Sequence, residues 1–250
     1  MTVVTGAGGG IGAAVCRTLA ESGARVVAVD RDEDALRRLR DAHRPALAPS
    51  ACYPADVRVA SETEEVFEKA EHELGPVSAL VNIAGVLCAG PVMSCAEADW
   101  HEMFAVNATG VFLWSRAATR RMTERRSGAI VTVASNAVGV PRAGMAAYAA
   151  SKAAAQAFTL GLGLEVAAYG IRCNVVCPGS TDTPMLASMG PDAVAAAIRG
   201  DLALHRTGIP LRQVAEPQDV AGAVGFLLSD QARHITLHSL YVDGGAALHG

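Results

Sequence analysis

The sequence has 250 residues, of which 51% are hydrophobic, 4% aromatic and 18% charged, and its formal net charge is −4. This composition excludes a disordered chain, a collagen-like chain and a disulfide scaffold, and a chain of this length buries a core without a metal or disulfide. The acidic balance argues against a nucleic-acid partner, and no apolar run reaches the roughly 18 residues of a membrane span. We therefore expect a soluble, cytoplasmic protein whose six cysteines remain free thiols.

Short apolar runs alternate with helix-compatible segments along the whole chain. The predicted strands cover residues 3–5, 25–29, 80–82, 129–133, 172–176 and 240–242. This alternation is typical of an α/β fold in which a doubly wound parallel sheet is flanked by helices. No repeat or linker divides the chain, so we expect a single domain over 1–250. Residues 181–210, rich in Met, Gly and Ala, are expected to form a mobile lid over a site.

A glycine-rich turn follows the first predicted strand. Residues 5–12 read Thr-Gly-Ala-Gly-Gly-Gly-Ile-Gly and lead into a helix-compatible segment, 13–22. Glycines permit a tight turn and let a pyrophosphate approach bare backbone, while the amides at the start of the helix face the phosphates. The pattern therefore predicts a dinucleotide site in which Gly6, Gly10, Ile11 and Gly12 contact the cofactor.

The choice of dinucleotide depends on Asp30, at the end of the second predicted strand. Its carboxylate can accept hydrogen bonds from the adenosine ribose, and it repels a 2′-phosphate. Two like charges about 4 Å apart, at an effective dielectric constant near 20, cost on the order of 4 kcal/mol. We therefore predict NAD rather than NADP. Arg31 is the counter-argument, because its guanidinium attracts a phosphate.

Tyr148 and Lys152 are four residues apart, which places both side chains on one face of a helix. A phenol has a pKa of about 10, so its use as a base near neutral pH requires a pKa lower by about three units. A neighbouring ammonium and a positive nicotinamide have the charge that lowers it. Ser135, just beyond predicted strand 129–133, is placed to hold a substrate oxygen. A lone Tyr-x-x-x-Lys is common by chance, so this prediction depends on the other motifs.

These motifs occur together in the order and approximate spacing of the short-chain dehydrogenase/reductase family, which the sequence resembles over essentially its whole length. The motifs are the glycine loop, Asp30, Asp56-Val57, Asn82-Ile83-Ala84-Gly85, Asn107, Ser135, Tyr148 with Lys152, and the run from Pro178 to Thr183. The resemblance implies a Rossmann-type fold with Tyr148 as acid and base. It also implies that Ser135 stabilises the substrate oxygen and that Lys152 binds the nicotinamide ribose and lowers the tyrosine pKa. Asn107 would anchor a water-linked proton relay.

The same resemblance implies the remaining cofactor contacts. Asp56 and Val57 would contact the adenine, and Asn82, Ala84 and Gly85 would line the adenosine ribose. The cofactor contacts of the last run are Pro178, Gly179 and Thr183, of which Thr183 would bind the carboxamide. Ile83 departs from the family, which often has a second asparagine there.

Further segments, mainly in the C-terminal half, resemble a subgroup of the family that oxidises a dihydroxylated cyclohexadiene carboxylate to a catechol acid for siderophores and related peptides. Arg142 is then a candidate for binding the carboxylate, or else a surface residue. Met145 and Met185 are candidate walls for the ring, or else core filling. Three alternatives stay open: the amino analogue as substrate, a broad-specificity ketone or sugar reductase, and a non-catalytic NAD-sensing protein.

The last prediction concerns assembly and metals. Between residues 149 and 168 the only charged side chains are Lys152 and Glu165, and a helix that is apolar all round must be covered on all sides. We expect a second copy of the chain to cover it. Together with helix 114–126, the family resemblance implies a homodimer or homotetramer. Neither the cysteines nor the histidines, His43, His72, His101, His205, His234, His238 and His249, have the spacing of a metal site, so no metal is expected.

Overall fold

The computed structural model describes residues 1–42, 52–204 and 206–248. Within them, seven strands form one wholly parallel sheet in the order β3-β2-β1-β4-β5-β6-β7. The strands are β1 (Thr2–Thr5), β2 (Val26–Asp30), β3 (Cys52–Pro54), β4 (Ala79–Asn82), β5 (Gly128–Val133), β6 (Ile171–Pro178) and β7 (Ser239–Val242). The predicted doubly wound α/β fold is confirmed.

All six predicted strands are present, and the structure adds β3. This strand has only three residues, none of them fully buried, and it pairs with β2 at the edge of the sheet. Its register aligns Ala28 with Cys52 and Asp30 with Pro54. Three residues that end in proline are too few to show the alternation of apolar and polar residues that predicts a strand, so the sequence analysis missed β3. The strand is formed by its pairing with β2.

Helices cover both faces of the sheet. They are α1 (Gly10–Glu21), α2 (Glu33–Ala42), α3 (Ala60–Leu74), α4 (Glu97–Phe104), α5 (Val111–Arg125), α6 (Ala146–Val166), α7 (Pro184–Ala187), α8 (Ala193–Arg199) and α9 (Pro217–Leu228). On one face of the sheet, Val4 packs in a hydrophobic core with buried residues of α1, α2 and α9. On the other face, Val3 packs in a second core with buried residues of α3, α5 and α6. Successive residues of β1 thus feed opposite cores, as the pleat of a strand requires.

The strand order reverses between β1 and β4, which are neighbours in the sheet although two strands separate them in the chain. At such a point the connections leave in opposite directions, and a crevice opens at the carboxyl ends of the strands. The segments after β1, β4, β5 and β6 all start at this edge. Among residues 1–42, 52–204 and 206–248, no helix is both long enough and apolar enough to cross a bilayer.

Candidate active site

A continuous cleft lies along the carboxyl ends of the strands and has two parts. The loop chamber is lined by the glycine loop, the end of β2 and residues 55–57. The tyrosine chamber is lined by residues 133–136, α6 and the segment after β6. The two chambers are joined by the side chains and backbone that line both, namely Ile11, Ile83, Gly85, Thr183 and Met185.

The glycine loop has no side chains where it meets the loop chamber and α1. Gly6 has a φ of 69°, and a Cβ on it would lie 2.6 Å from the Ala84 backbone nitrogen. A Cβ on Gly12 would overlap the Gly6 carbonyl oxygen, and one on Gly10 would lie 2.8 Å from the Thr183 side chain. No side chain caps the amino end of α1, so its first amides are available to an anion. This bare, uncapped loop fits a dinucleotide pyrophosphate.

Asp30 presents a fixed carboxylate to the loop chamber. Its Oδ2 accepts a hydrogen bond from the Gly8 amide at 2.9 Å, and its Oδ1 accepts one from the Asp32 amide at 3.0 Å. Each oxygen retains a second lone pair for a ligand hydroxyl. Arg31 also lines this chamber, but its guanidinium lies 3.9 Å from the carboxylate of Glu102. The negative charge of Asp30 therefore faces the chamber with no ion pair of its own among the described residues.

The remaining residues expected near the adenosine are divided between the chamber wall and the interior. Asp56, Val57, Ala84 and Gly85 line the loop chamber. Asn82 does not line it, because its side chain is buried beneath the cleft, where its amide donates to Ser115 Oγ at 3.0 Å and to Thr132 Oγ1 at 3.3 Å.

Tyr148, Lys152 and Ser135 meet in the tyrosine chamber because α6 passes the end of β5. The two α6 side chains are buried, with 7% and 5% of their surfaces exposed. The Ser135 side chain lines the same chamber and acts on the Tyr148 hydroxyl as a hydrogen-bonding neighbour that lowers its pKa. The Lys152 Nζ donates a hydrogen bond to the Val133 carbonyl at 2.9 Å. The sequence prediction that these three residues lie together is thus consistent with their positions.

Burial shifts both titratable groups toward their neutral forms. It raises the pKa of Tyr148 above its ordinary value, while the Ser135 hydrogen bond and the Arg142 charge lower it. Burial also lowers the pKa of Lys152 to about 8. The sequence argument used Lys152 as the cation that acts on the phenol. The protein cation whose charge lowers the Tyr148 pKa in this structure is Arg142.

Asn107 lies in a π-helical turn, Ala105–Gly110, that joins α4 to α5. Its side chain accepts a hydrogen bond from the Val86 amide and donates to the Val86 carbonyl, both at 2.9 Å. It also donates to Ser151 Oγ at 2.9 Å, and that hydroxyl donates to the Tyr148 carbonyl at 2.8 Å. Asn107 therefore ties the segment after β4 to the turn of α6 that carries Tyr148, and π turns of this kind are frequent at functional sites.

The predicted substrate residues also line the tyrosine chamber. Arg142, Met145 and Met185 all face it, together with the backbone of Pro178 and Gly179. Sequence reasoning missed Arg206, which lines the same chamber from the far end of the segment after β6. The available signal was a cation within residues 181–210, the segment expected to form a lid over the site.

Three of the seven histidines, His43, His205 and His249, lie outside the described residues. Among the residues that are described, histidine, cysteine and acidic side chains form no group of three that can hold a metal ion. The cysteines, all of them described, are free thiols.

Comparison with known proteins places this geometry in a family. The family model for short chain dehydrogenases matches residues 1–193. A 2,3-dihydro-2,3-dihydroxybenzoate dehydrogenase of Bacillus subtilis is 51% identical over 98% of this chain and 95% of its own length. The enzyme of the same name from Escherichia coli is 42% identical over 98% of this chain and 96% of its own length.

A solved structure has the same fold. The 3-ketoacyl-(acyl-carrier-protein) reductase of Brucella melitensis, in complex with NADH, superimposes with a TM-score of 0.88 at 29% identity, covering 98% of this chain and 97% of that one. The motifs, the cleft and these matches agree, and the chain belongs to the short chain dehydrogenase family.

Proposed function

We propose that the protein is an NAD-dependent dehydrogenase that oxidises 2,3-dihydro-2,3-dihydroxybenzoate to 2,3-dihydroxybenzoate, the catechol acid of siderophores. The observation that carries the proposal is the tyrosine chamber, which Tyr148, Ser135 and Arg142 line together and where both neighbours lower the Tyr148 pKa. A base for an alcohol and a cation for a carboxylate are what this substrate requires. The two relatives that carry the name of this activity match nearly the full chain.

NAD fits the loop chamber. We assign the pyrophosphate to the bare backbone of Gly6, Gly10, Ile11 and Gly12. Asp30 would hold the adenosine ribose, Asp56 and Val57 the adenine, and Ala84 and Gly85 the chamber wall. Beyond Thr183, which lies where the two chambers join, Pro178, Gly179, Tyr148 and Lys152 would hold the nicotinamide end. When bound there, NAD accepts a hydride from the substrate.

The chain's own residues then handle the proton and the oxygen. Tyr148, as phenolate, removes the proton of the C3 hydroxyl while Ser135 donates a hydrogen bond to that oxygen. The C3 hydrogen leaves as hydride, and C3 becomes a ketone conjugated with the ring. Transfer of the C2 proton to the new carbonyl oxygen then gives the catechol. Since this last step creates an aromatic ring, the oxidation proceeds in one direction.

The proposal is tested by incubating the purified protein with NAD and either the trans-diene diol acid or its amino analogue. We expect NADH and 2,3-dihydroxybenzoate from the acid. The Tyr148→Phe variant should lose about 10²- to 10⁴-fold in kcat while it still binds NADH, because the other cofactor contacts remain. Rapid oxidation of simple alcohols with no turnover of either diene would refute the assignment and support a broad-specificity reductase. A biological role that survives Tyr148→Phe would favour an NAD sensor.

Cofactor choice follows from Asp30, whose carboxylate faces the loop chamber. We expect kcat/KM to favour NAD over NADP by two orders of magnitude or more, on the order of the like-charge repulsion near 4 kcal/mol. The Asp30→Ser variant should lose most of this preference. A wild-type preference for NADP would contradict this part of the proposal.

We also infer that the protein works as a homo-oligomer, a dimer or tetramer, assembled through α5 and α6. Large apolar side chains are exposed on these helices and just beyond them: Phe112 at 40%, Leu164 at 72% and Tyr169 at 41%. A single sheet covers only one side of an apolar helix, so a second copy is the natural cover for the other.

Residues 181–210, finally, are proposed to act as a lid. Met185, Leu186, Met189 and Arg206 all come from this segment and line the tyrosine chamber. Hydrogen exchange across the described part of the segment should slow when NADH and 2,3-dihydroxybenzoate bind together. Unchanged exchange would show that the segment does not close over the ligand.

A further inference from the structure

We propose that Arg206 is a second carboxylate-binding residue beside Arg142, and that it selects acidic over uncharged ring alcohols by binding the substrate carboxylate. This inference rests on the proposed function and extends it. It assigns the anion selectivity of the tyrosine chamber to a residue between α8 and α9.

The backbone of Arg206 is fixed by a short turn that closes on itself. The Asp201 amide donates a hydrogen bond to the Arg206 carbonyl, and the Arg206 amide donates one to the Asp201 carbonyl, both at 2.8 Å. Gly200 and Gly208 flank this pair with φ values of 75° and 78°. A Cβ on Gly200 would overlap the Arg206 carbonyl oxygen, so the turn depends on that glycine. The side chain of Arg206 therefore starts from a defined position.

Arg206 lines the tyrosine chamber, and among the described residues its guanidinium makes a single side-chain hydrogen bond. That bond is a long one, 3.5 Å from Nη2 to Ser180 Oγ. Arg142 lines the same chamber, and its pKa is lowered first by burial and then by the positive charge of Arg206. Among the described residues, neither guanidinium lies within 4 Å of a carboxylate. Two cations that line one chamber, partly out of water, are stabilised when an anion binds between them.

Arg142 is held from behind by a chain of hydrogen bonds. Its Nη2 donates to Asn136 Oδ1 at 2.9 Å, and Asn136 Nδ2 donates to Asp243 Oδ2 at 3.0 Å. The buried Asp243 carboxylate also accepts the amides of Gly245 at 3.0 Å and Ala247 at 2.8 Å. The Asp243 carboxylate is thus occupied by Asn136 and by two backbone amides. It orients Arg142 through Asn136 and forms no ion pair with the Arg142 guanidinium.

The shape of the chamber fits a carboxylate on a ring. Apolar walls come from Leu87, Met145, Met185 and Met189, which suit the faces of a cyclohexadiene. Guanidinium groups match the planar fork of a carboxylate. A carboxylate bound by both arginines would place the ring in the chamber that Ser135 and Tyr148 also line. Because Arg206 belongs to residues 181–210, the proposed lid binds the substrate carboxylate directly.

The test uses Arg206→Gln in the full-length protein, with the diene diol acid and with its uncharged carboxamide. We expect KM for the acid to rise about ten- to a hundredfold with kcat changed less than about threefold, because a charge-assisted bond is lost in both ground and transition states. KM for the carboxamide should change less than about threefold. The dissociation constant of 2,3-dihydroxybenzoate in the presence of NADH, measured by calorimetry, should rise in parallel with KM for the acid.

Arg199→Gln is the matched control. Arg199 is an exposed residue of α8 in the same segment and lies outside the chamber lining. Its substitution by glutamine removes the same charge as Arg206→Gln. We expect wild-type constants from it. Should Arg206→Gln fail to fold, Arg206→Lys keeps the charge but loses the fork, and a KM for the acid raised about three- to tenfold is then expected.

Two failures are distinguishable. If wild type oxidises the acid but Arg206→Gln, or Arg206→Lys in its place, leaves both KM and the product dissociation constant unchanged, the role of Arg206 is overturned and the proposed function stands. If wild type oxidises neither diene, the proposed function fails. In that case the role of Arg206 fails with it unless 2,3-dihydroxybenzoate still binds and Arg206→Gln weakens that binding.

Discussion

Two buried residues of α6, Tyr148 and Lys152, experience burial in opposite ways. The phenol is held protonated because its pKa is raised, and the ammonium is driven toward the free amine because its pKa is lowered to about 8. At neutral pH Lys152 still carries its proton for most of the time. The phenolate therefore depends on Ser135 and Arg142, whose hydrogen bond and charge oppose the effect of burial on the tyrosine.

This balance predicts the effect of Ser135→Ala on the pH profile. Loss of the hydrogen bond removes a contribution that lowers the Tyr148 pKa, so the phenolate forms at higher pH. We expect the ascending limb of kcat/KM for the diene acid to move to higher pH, in addition to a fall in kcat. A profile that keeps its midpoint would show that Ser135 acts on substrate alone. Steady-state rates between pH 6 and 10 make the comparison.

Lys152→Met should change stability in a pH-dependent way. The pKa of Lys152 is depressed on folding from 10.5 to about 8, so the unfolded chain binds the proton more tightly. The resulting penalty, about 3 kcal/mol, is fully present below pH 8 and disappears as the pH rises toward 10.5. Lys152→Met also loses the hydrogen bond to the Val133 carbonyl, which lowers the free energy of unfolding by about 1–3 kcal/mol.

Denaturant unfolding at pH 7 and pH 10 measures this effect. Relative to wild type, Lys152→Met should be more stable by about 1 kcal/mol at pH 7 and should lose this advantage at pH 10. The difference in unfolding free energy between the two proteins should change by about 2–3 kcal/mol across that range. A difference independent of pH would contradict a depressed lysine pKa.

At the scale of elements, the site depends on how closely α1 approaches the end of β1. The chain turns through Gly6 in a left-handed conformation, and Gly12 packs against the Gly6 carbonyl without room for a methyl group. The same closeness brings the amino end of α1 to the cleft, where its uncapped amides face the loop chamber. Packing and cofactor binding therefore use the same glycines.

Gly12→Ala tests that coupling. The added Cβ cannot be accommodated without moving α1, so we expect a loss of about 1–3 kcal/mol in unfolding free energy and a weaker affinity for NADH. Gly222→Ala is the control, because this exposed α9 glycine has open space around its Cβ and should gain about 0.5–1 kcal/mol from helix propensity. Thermal unfolding and NADH titration of both variants provide the comparison. A Gly12→Ala protein as stable as wild type would refute the proposed packing constraint.

For the whole molecule, the sheet is covered on both faces, yet α5 and α6 retain apolar side chains on their outer surface. Phe112 and Phe158 contact each other across these helices, with ring centroids 5.8 Å apart. Leu164, on the last turns of α6, has 72% of its surface exposed. An apolar surface formed jointly by two helices suits a second copy that presents the same surface through a twofold axis.

Leu164→Glu is expected to weaken that assembly. A charge placed in an apolar interface must be buried without a partner, so sedimentation at micromolar concentration should shift toward smaller species. Met93→Glu introduces the same charge at a fully exposed residue outside α5 and α6 and should leave the sedimentation coefficient unchanged. An unchanged value for Leu164→Glu, or a wild-type monomer, would contradict assembly through this surface.

The sequence determined the local features of this protein by itself: six strands, the glycine loop, the acid at the end of β2, and Tyr148 on the same helical face as Lys152. Each of these follows from neighbours within a few residues, so spacing and residue type suffice to find it. Strand β3 and the side-chain position of Asn82 were decided by pairing and packing with distant elements. Arg206 and Arg142 line one chamber only because the segment after β6 folds back to the cleft, a placement determined by tertiary contacts between residues far apart in the chain.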